Sequence, residues 1–224
     1  MNVQQMHDEF RLGLDKVDTL GAPNFLDIEI DSLLNKAQQE FIEQRAWGTN
    51  MKKQGLEETQ KRKDDLRQLI KEEEIAIFVP GVKPNSFFIN LPRDYRHAIN
   101  EEATIKYICN NKKITKRTSV KPLTMDRYNE IIKDPFNKPE RTKIYRLDYL
   151  HDRFEIVLGE DVDITSYHLR YLKRPTPIEL SNGLDCELAE HTHREIVEKA
   201  VSYALSDVES PRWQVQKAEI SEME

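Results

Sequence analysis

The sequence is poor in the residues that build phosphate cradles, disulfide frameworks and membrane spans. Its seven glycines include no run ending in Gly-Lys-Ser/Thr, no GxGxxG and no GxSxG. The chain therefore lacks the turns that bring backbone amides onto a phosphate or expose a nucleophilic serine. Its two cysteines, Cys109 and Cys186, stand far apart, one in an apolar run and the other beside acids. That argues against a disulfide framework and for reduced thiols in a cytosolic setting. Nowhere do roughly 18 apolar residues follow one another, and the opening MNVQQMHDEFRLGLDK carries acids where a signal peptide has its apolar core. The expectation is a protein made and kept on the cytoplasmic side, with no membrane span.

Positive charge is also in deficit. Against 40 acidic side chains stand 34 basic ones, for a net charge of -6. That balance does not suit a free-standing nucleic-acid binder held by counterion release. It suits a conduit past which DNA moves better than a clamp that grips it. With 33% charged and 38% hydrophobic residues in 224, the core is lean and the surface ionic, and the length fits one well-buried core with extensions.

What the chain does have is pattern. Val3, Met6, Phe10, Leu14 and Val17 recur at helical spacing, and Gly21-Ala22-Pro23 ends that helix. A second helix starts near Asp27, with Ile30, Leu33, Leu34, Ala37, Phe41 and Ile42 on its apolar face, and Gly48-Thr49-Asn50 stops it. A third, polar nearly all round, is expected from Leu56 to Glu74 as a solvated or subunit-bridging element. From Ile75 the period changes to two. Ile75, Ile77 and Val79 turn at Pro80-Gly81 to Phe87, Ile89 and Leu91, and strands are expected at 98–110, 114–120, 143–149, 154–158 and 166–172, as an antiparallel meander. A last helix from about His191 to Val208 has Ile196, Val197, Ala200, Val201, Ala204 and Leu205 on one face, and a short terminal helix follows over 212–222. The fold class expected is α+β: a helical bundle of N-terminal helices plus the C-terminal helix, with an antiparallel β-rich portion. The expected division is 1–74, 75–178 and 179–224, the last sharing a core with the first.

The stretch from Ser119 to Tyr149 is the most specific architecturally. Val120 ends a β-like run, Pro122 stops it, and Thr124 is placed to cap a short helix by accepting from the amide of Asp126 or Arg127. Pro135 and Pro139 then bracket a stiff loop with one large aromatic, Phe136, to anchor it. No group in this passage has the look of a nucleophile, metal cluster or phosphate cradle.

Elsewhere, candidate chemistry is thin. His191 and His193, with Cys186, Glu187 or Glu190, are the nearest approach to a metal set, but i and i+2 diverge by about 200° on a helix. A polar first helical turn is the better reading. Glu72, Glu73 and Glu74 read as a solvated helix end, with no complementary nucleophile beside them. The basic runs Lys61-Arg62-Lys63 and Lys112-Lys113 with Lys116-Arg117 read as solvated or subunit-bridging charge. Trp47 reads as a core anchor. Trp213, after Pro211-Arg212, reads equally as core or as an interface residue, since Trp and Arg dominate interface energetics. No catalytic, cofactor-binding or metal site is expected, nor any cofactor.

Four segments together resemble a known family: LLNKAQQEFIEQR, then VKPLTMDRYNEIIKDPFNKP with YRLDY, YHLRYLKRPTPIEL, and CELAEHTHREIVEKAVSYALSDVESPRWQ. The combination is similar to the ring or adaptor proteins of the head-to-tail connector of crAss-like tailed bacteriophages, over roughly Ile30 to Gln216. The resemblance implies a non-enzymatic virion protein that sits below the portal as a closed ring, commonly of about twelve copies. It implies the portal and other connector or tail proteins as partners, and DNA passing through the channel without sequence-specific binding. Phe136, Arg212 and Trp213 are the expected interface residues. Two other readings stay open, another virion component such as a head-completion, tail-tube or capsid-auxiliary protein, and a small nucleic-acid-processing enzyme using His191 or His193.

Overall fold

The structure, a computed structural model, describes residues 1–15, 25–47 and 56–207. In chain order its elements are α1 (Val3–Asp15), α2 (Asp27–Trp47), α3 (Gln60–Leu66), β1 (Ile70–Ile75), β2 (Val79–Pro80), β3 (Ser86–Asn90), β4 (Tyr95–Cys109), β5 (Lys112–Leu123), α4 (Met125–Lys133), β6 (Ile144–Leu150), β7 (Arg153–Val157), β8 (Val162–Lys173) and α5 (His193–Asp207), with 3-10 turns at Arg67–Leu69 and Glu190–Thr192. They form two compact units: Met1–Leu69 with Pro175–Glu224, and Ile70–Arg174. The fold is α+β, as the periodicities predict.

In the helical unit the apolar stripes meet. Val3, Met6, Phe10 and Leu14 of α1, Ile30, Leu34, Ala37, Phe41 and Ile42 of α2, and Ile196, Val197, Ala200, Val201, Ala204 and Leu205 of α5 are all buried. The N-terminal helices pack on the C-terminal one. Gly13 makes the α1 approach possible, because a Cβ there would stand 2.9 Å from Val201 Cγ2. Asn35 of α2 stitches the returning chain in place: its amide donates to Ile178 O and its oxygen accepts from Ile178 N, both at 2.8 Å.

The polar helix expected over 56–74 is much shorter. Thr59 caps α3, accepting from Arg62 N. Leu66 and Leu69 are buried in the helical unit, and from Ile70 the chain pairs antiparallel with β8 from Ile70↔Leu172 to Ile75↔Tyr167. The glutamates favour helix locally, and tertiary strand pairing overrides that weak preference. Glu72, Glu73 and Glu74 are thus exposed strand residues, not a helix end. Trp47 is 52% exposed, so it is not a core anchor. The terminal helix expected over 212–222, with Arg212 and Trp213, lies outside the described residues.

The second unit is an eight-stranded sheet of order β1-β8-β4-β5-β6-β7-β3-β2. All neighbours are antiparallel except β5 and β6. It is not a meander, because β8 inserts between β1 and β4, and because β5, α4 and β6 form a crossover between parallel strands. The two-residue turn Asn110-Asn111 has positive φ at both positions (49° and 59°) and joins β4 to β5 as a tight hairpin. Strand β5 changes partner midway: Lys112–Ser119 pairs with β4, and Val120–Leu123 pairs with β6. It therefore runs through Pro122 instead of stopping there. Pairing with β4 has ended by that point, so the missing proline N–H costs no bond on that side. The main core gathers Ile89, Ala103, Ile105, Phe154, Ile156, Tyr167, Leu169 and Tyr171. A smaller cluster of Leu123, Tyr128, Tyr145, Leu147 and Val157 packs α4 beside β6.

Candidate intersubunit surface

The proline-bounded loop follows α4 and is held from several sides. Asp134 N donates to Glu130 O and Ile131 O at the helix end. The Asp134 carboxylate then accepts from Phe136 N at 2.9 Å and from Asn137 Nδ2 at 2.7 Å. Those hydrogen bonds, the one from Phe136 N foremost, hold its pKa below the ordinary carboxylate range. Tyr145 Oη donates to Asn137 O at 2.7 Å, and Lys143 Nζ donates to Phe136 O. The loop is thus anchored by its polar groups, and Phe136 is not the anchor: the residue is 81% exposed. A large aromatic thus stands in solvent on a stiff loop, an exposed apolar surface of the kind that contact with another molecule would cover. At the start of α4, Thr124 occupies the cap position without a side-chain bond to a helix amide; its hydroxyl bonds the Asp126 carboxylate, lowering that group's pKa.

Beside the loop lies an open groove of about 600 Å³, lined by Pro84 and Asn85, Tyr128 and Ile132, Lys138 to Thr142, and Val157 to Glu160. Its Pro84–Asn85 wall is set by Glu155, which is fully buried. Glu155 Oε1 accepts from Val82 N and Lys83 N at 2.7 Å and from Ser86 Oγ at 2.6 Å. Gly81 leaves room for this carboxylate, since a Cβ there would fall 2.7 Å from Glu155 Oε1. Tyr128, in the groove, is buried with no partner for its hydroxyl among the described residues. Lys83 Nζ lies 4.7 Å from the centre of the Tyr128 ring.

A second buried constellation in the same unit joins Glu101, Arg146 and Tyr167. Arg146 Nη1 is 2.8 Å from Glu101 Oε1, and the Tyr167 hydroxyl donates to Glu101 Oε2. Burial raises the Glu101 pKa, against the pull of Tyr167 and Arg146. The Tyr167 pKa is raised chiefly by burial, then by the Glu101 charge.

The histidines weighed as metal ligands have other partners, in the helical unit. His191 Nε2 lies 2.8 Å from Asp65 Oδ1. His193 is buried, with Nε2 2.8 Å from Leu188 O and Nδ1 3.0 Å from Met1 O. Asp65 also faces Arg45, whose Nε is 3.1 Å from Asp65 Oδ2 as an ion pair off hydrogen-bond geometry, while Arg45 Nη2 donates to both Glu195 oxygens at 3.0 and 2.9 Å. Burial pushes the Glu195 pKa up, and Arg45 and Lys199 oppose it. These groups are oriented to neutralise one another inside a helical core, and the second member of the basic run, Arg62, is likewise buried, donating to Gln44 O.

Of the residues singled out from sequence as interface candidates, Phe136 stands on an exposed, fixed loop, and Arg212 and Trp213 lie outside the described residues. Glu155 and Tyr128 were missed. The available signal for Glu155 was a lone acid inside the apolar run Phe154 to Leu158, opposite a Gly81 and a Ser86.

A family model described as phage tail ring protein 3/4 matches residues 1–211. The chain is similar to ring protein 4/5 of Bacteroides phage crAss001, 26% identical, with 91% of this chain and 92% of that protein covered. It is also similar to ring protein 3 of the same phage, 29% identical over 80% of this chain and 84% of that protein.

Proposed function

The chain belongs to the phage tail ring protein 3/4 family of crAss-like phages, a structural ring component of the virion, and from that membership we propose that it forms a closed ring in the head-to-tail connector. It docks below the portal, lengthens the channel through which DNA is packaged and ejected, and offers a platform to the next tail protein. Its work is assembly and involves no covalent step.

The observation that carries this reading is the family match across nearly the whole chain, joined to an exposed aromatic that a fixed loop holds out to solvent. Ring closure needs two unlike faces on each copy. Phe136, fixed by Asp134, Lys143 and Tyr145, supplies an aromatic for one of them at little entropic cost. Arg212 and Trp213 are assigned to a contact with a neighbouring protein. The net charge of -6 fits a channel wall that repels DNA instead of gripping it.

Native mass spectrometry of the purified protein, alone and mixed with the portal protein of its phage, tests this. The expected result is a closed oligomer of about twelve copies that co-migrates with portal, as a cyclic assembly matched to its neighbour requires. A monomer indifferent to portal would remove the connector assignment, and a ring that binds a different tail component instead would move the protein to another level of the tail.

A further inference from the structure

Resting on the ring reading above, we propose that neighbouring copies join by antiparallel strand pairing, with β1 of one copy laid along the Lys112–Ser119 half of β5 of the next. The strand order puts β1 at the outer edge of the sheet, where it pairs only with β8 among the described residues. The Lys112–Ser119 half of β5 pairs only with β4 among the described residues, because β6 joins it from Val120 onward. The four strands β1-β8-β4-β5 thus have two strand edges open to augmentation. The remaining edge, β2, is two residues long and includes Pro80, too short to hold a neighbour.

Direction is decided by the strand count. Four strands, each antiparallel to the next, leave the two outer ones running oppositely. A second copy set beside the first by a rotation about a ring axis therefore brings its β1 antiparallel to the first copy's β5. That arrangement is head-to-tail and uses unlike edges, as a closed ring demands.

Charge then selects the partner. Glu72, Glu73 and Glu74 are exposed on β1 beside Lys71, whose Nζ lies 2.6 Å from Asp94 Oδ2, and Lys112, Lys113, Lys116 and Arg117 are exposed on β5. The β1 edge is thus net negative and the β5 edge positive, so like edges repel on balance and the unlike pairing brings opposite charges together. Faces narrow the register further. Glu74, His168, Glu102 and Ser119 are directly opposite one another across β1, β8, β4 and β5, so Glu72 and Glu74 share a face with Arg117, while Glu73 and Ile75 share the other with Ile114 and Lys116. One register that respects both faces sets Glu72 against Arg117, Glu73 against Lys116 and Ile75 against Ile114. Within one copy Arg117 pairs with Glu102, and its Nη2 lies 3.7 Å from Glu72 Oε1. That second pair is exposed on both sides and open to exchange for the neighbour's glutamate.

A charge-reversal cycle on the full chain tests the pairing. Glu73→Lys and Lys116→Glu are each expected to raise the protein concentration at half-assembly of the ring about tenfold, and the double variant to return it to near the wild-type value. Hydrogen exchange on the wild-type protein gives a readout independent of whether a variant folds: amides in Ile70–Ile75 and Lys112–Ser119 are expected to exchange at least about tenfold more slowly in the ring than in the dilute monomer. Rings that form with both edges exchanging as fast as in the monomer, or folded single variants that assemble like wild type, or a folded double variant that does not recover, would overturn the pairing and leave the ring reading intact. A wild-type chain that forms no ring, with or without portal, would overturn the ring reading and the pairing together.

Discussion

Replacing Glu155 is expected to loosen the Val82 to Ser86 loop and destabilise the β unit, in an order set by its hydrogen bonds. Glu155 is fully buried, and its Oε1 takes the amides of Val82 and Lys83 and the hydroxyl of Ser86 within 2.7 Å. Charge-assisted bonds of this kind are about twice as strong as neutral ones. Glu155→Gln keeps an acceptor in place and removes the charge, for a loss of about 1–2 kcal/mol. Glu155→Ala removes all three bonds and leaves a cavity, for a loss of about 3–4 kcal/mol, because water reaches the amide of exposed Val82 but not the buried Ser86 hydroxyl as readily. With the carboxylate gone, the single Ser86 hydroxyl proton can turn to Lys83 O at 2.7 Å, which caps the loss. In a chain of this size the alanine variant is expected to melt about 8–12 °C lower and the glutamine variant about 3–6 °C lower. The assay is thermal unfolding together with exchange of the Val82 and Lys83 amides, which should speed up in both variants. An alanine variant within about 1 kcal/mol of wild type, or no faster exchange at these two amides, would refute the role given to this carboxylate.

Four further outcomes are expected. Phe136→Ala leaves the monomer's melting temperature unchanged, since the ring is exposed, and weakens each intersubunit contact by about 2 kcal/mol, read as a roughly thirtyfold rise in the concentration needed for assembly; Trp213→Ala is expected to weaken assembly in the same assay. Arg45→Ala costs about 3–5 kcal/mol by taking from Asp65 and Glu195 the buried guanidinium they share. Because the Glu195 pKa is already raised by burial, ionising it disfavours the folded state, so this deficit deepens as pH rises above the ordinary glutamate range, and denaturant melts at two pH values check it. The Asp134 pKa is depressed in the folded protein, so its hold on the loop is present at neutral pH and is lost only as pH falls below the ordinary carboxylate range, through the depressed value; protection of the Phe136 amide should fall with it, and Asp134→Asn should remove that pH dependence.

Three helices, α1, α2 and α5, were legible because their apolar residues repeat at one period, and every apolar position read on α5 is buried. The strand at 98–110 was legible from alternation in its second half, and those at 114–120 and 154–158 as short runs between turn signals. Two features were not. The segment 70–75 carries three consecutive glutamates that favour helix locally, and only its pairing with a strand almost a hundred residues later makes it an edge strand. The parallel contact of β5 with β6 was hidden for a similar reason, because Pro122 signals an end to any strand whose partners are unknown. As for the interface, a proline-bounded Phe136 could be read as a fixed aromatic, but whether its ring faced core or solvent depended on Asp134, Lys143 and Tyr145 taking over the anchoring.

The most direct test of the account is an electron-microscopy map of the virion's tail at a resolution that traces strands. The account predicts copies of this chain in a closed ring coaxial with the portal, Phe136 at a contact with a neighbouring protein, and a DNA-sized channel at the centre. Copies placed singly, on the capsid surface, or in a ring with Phe136 facing open solvent would contradict it.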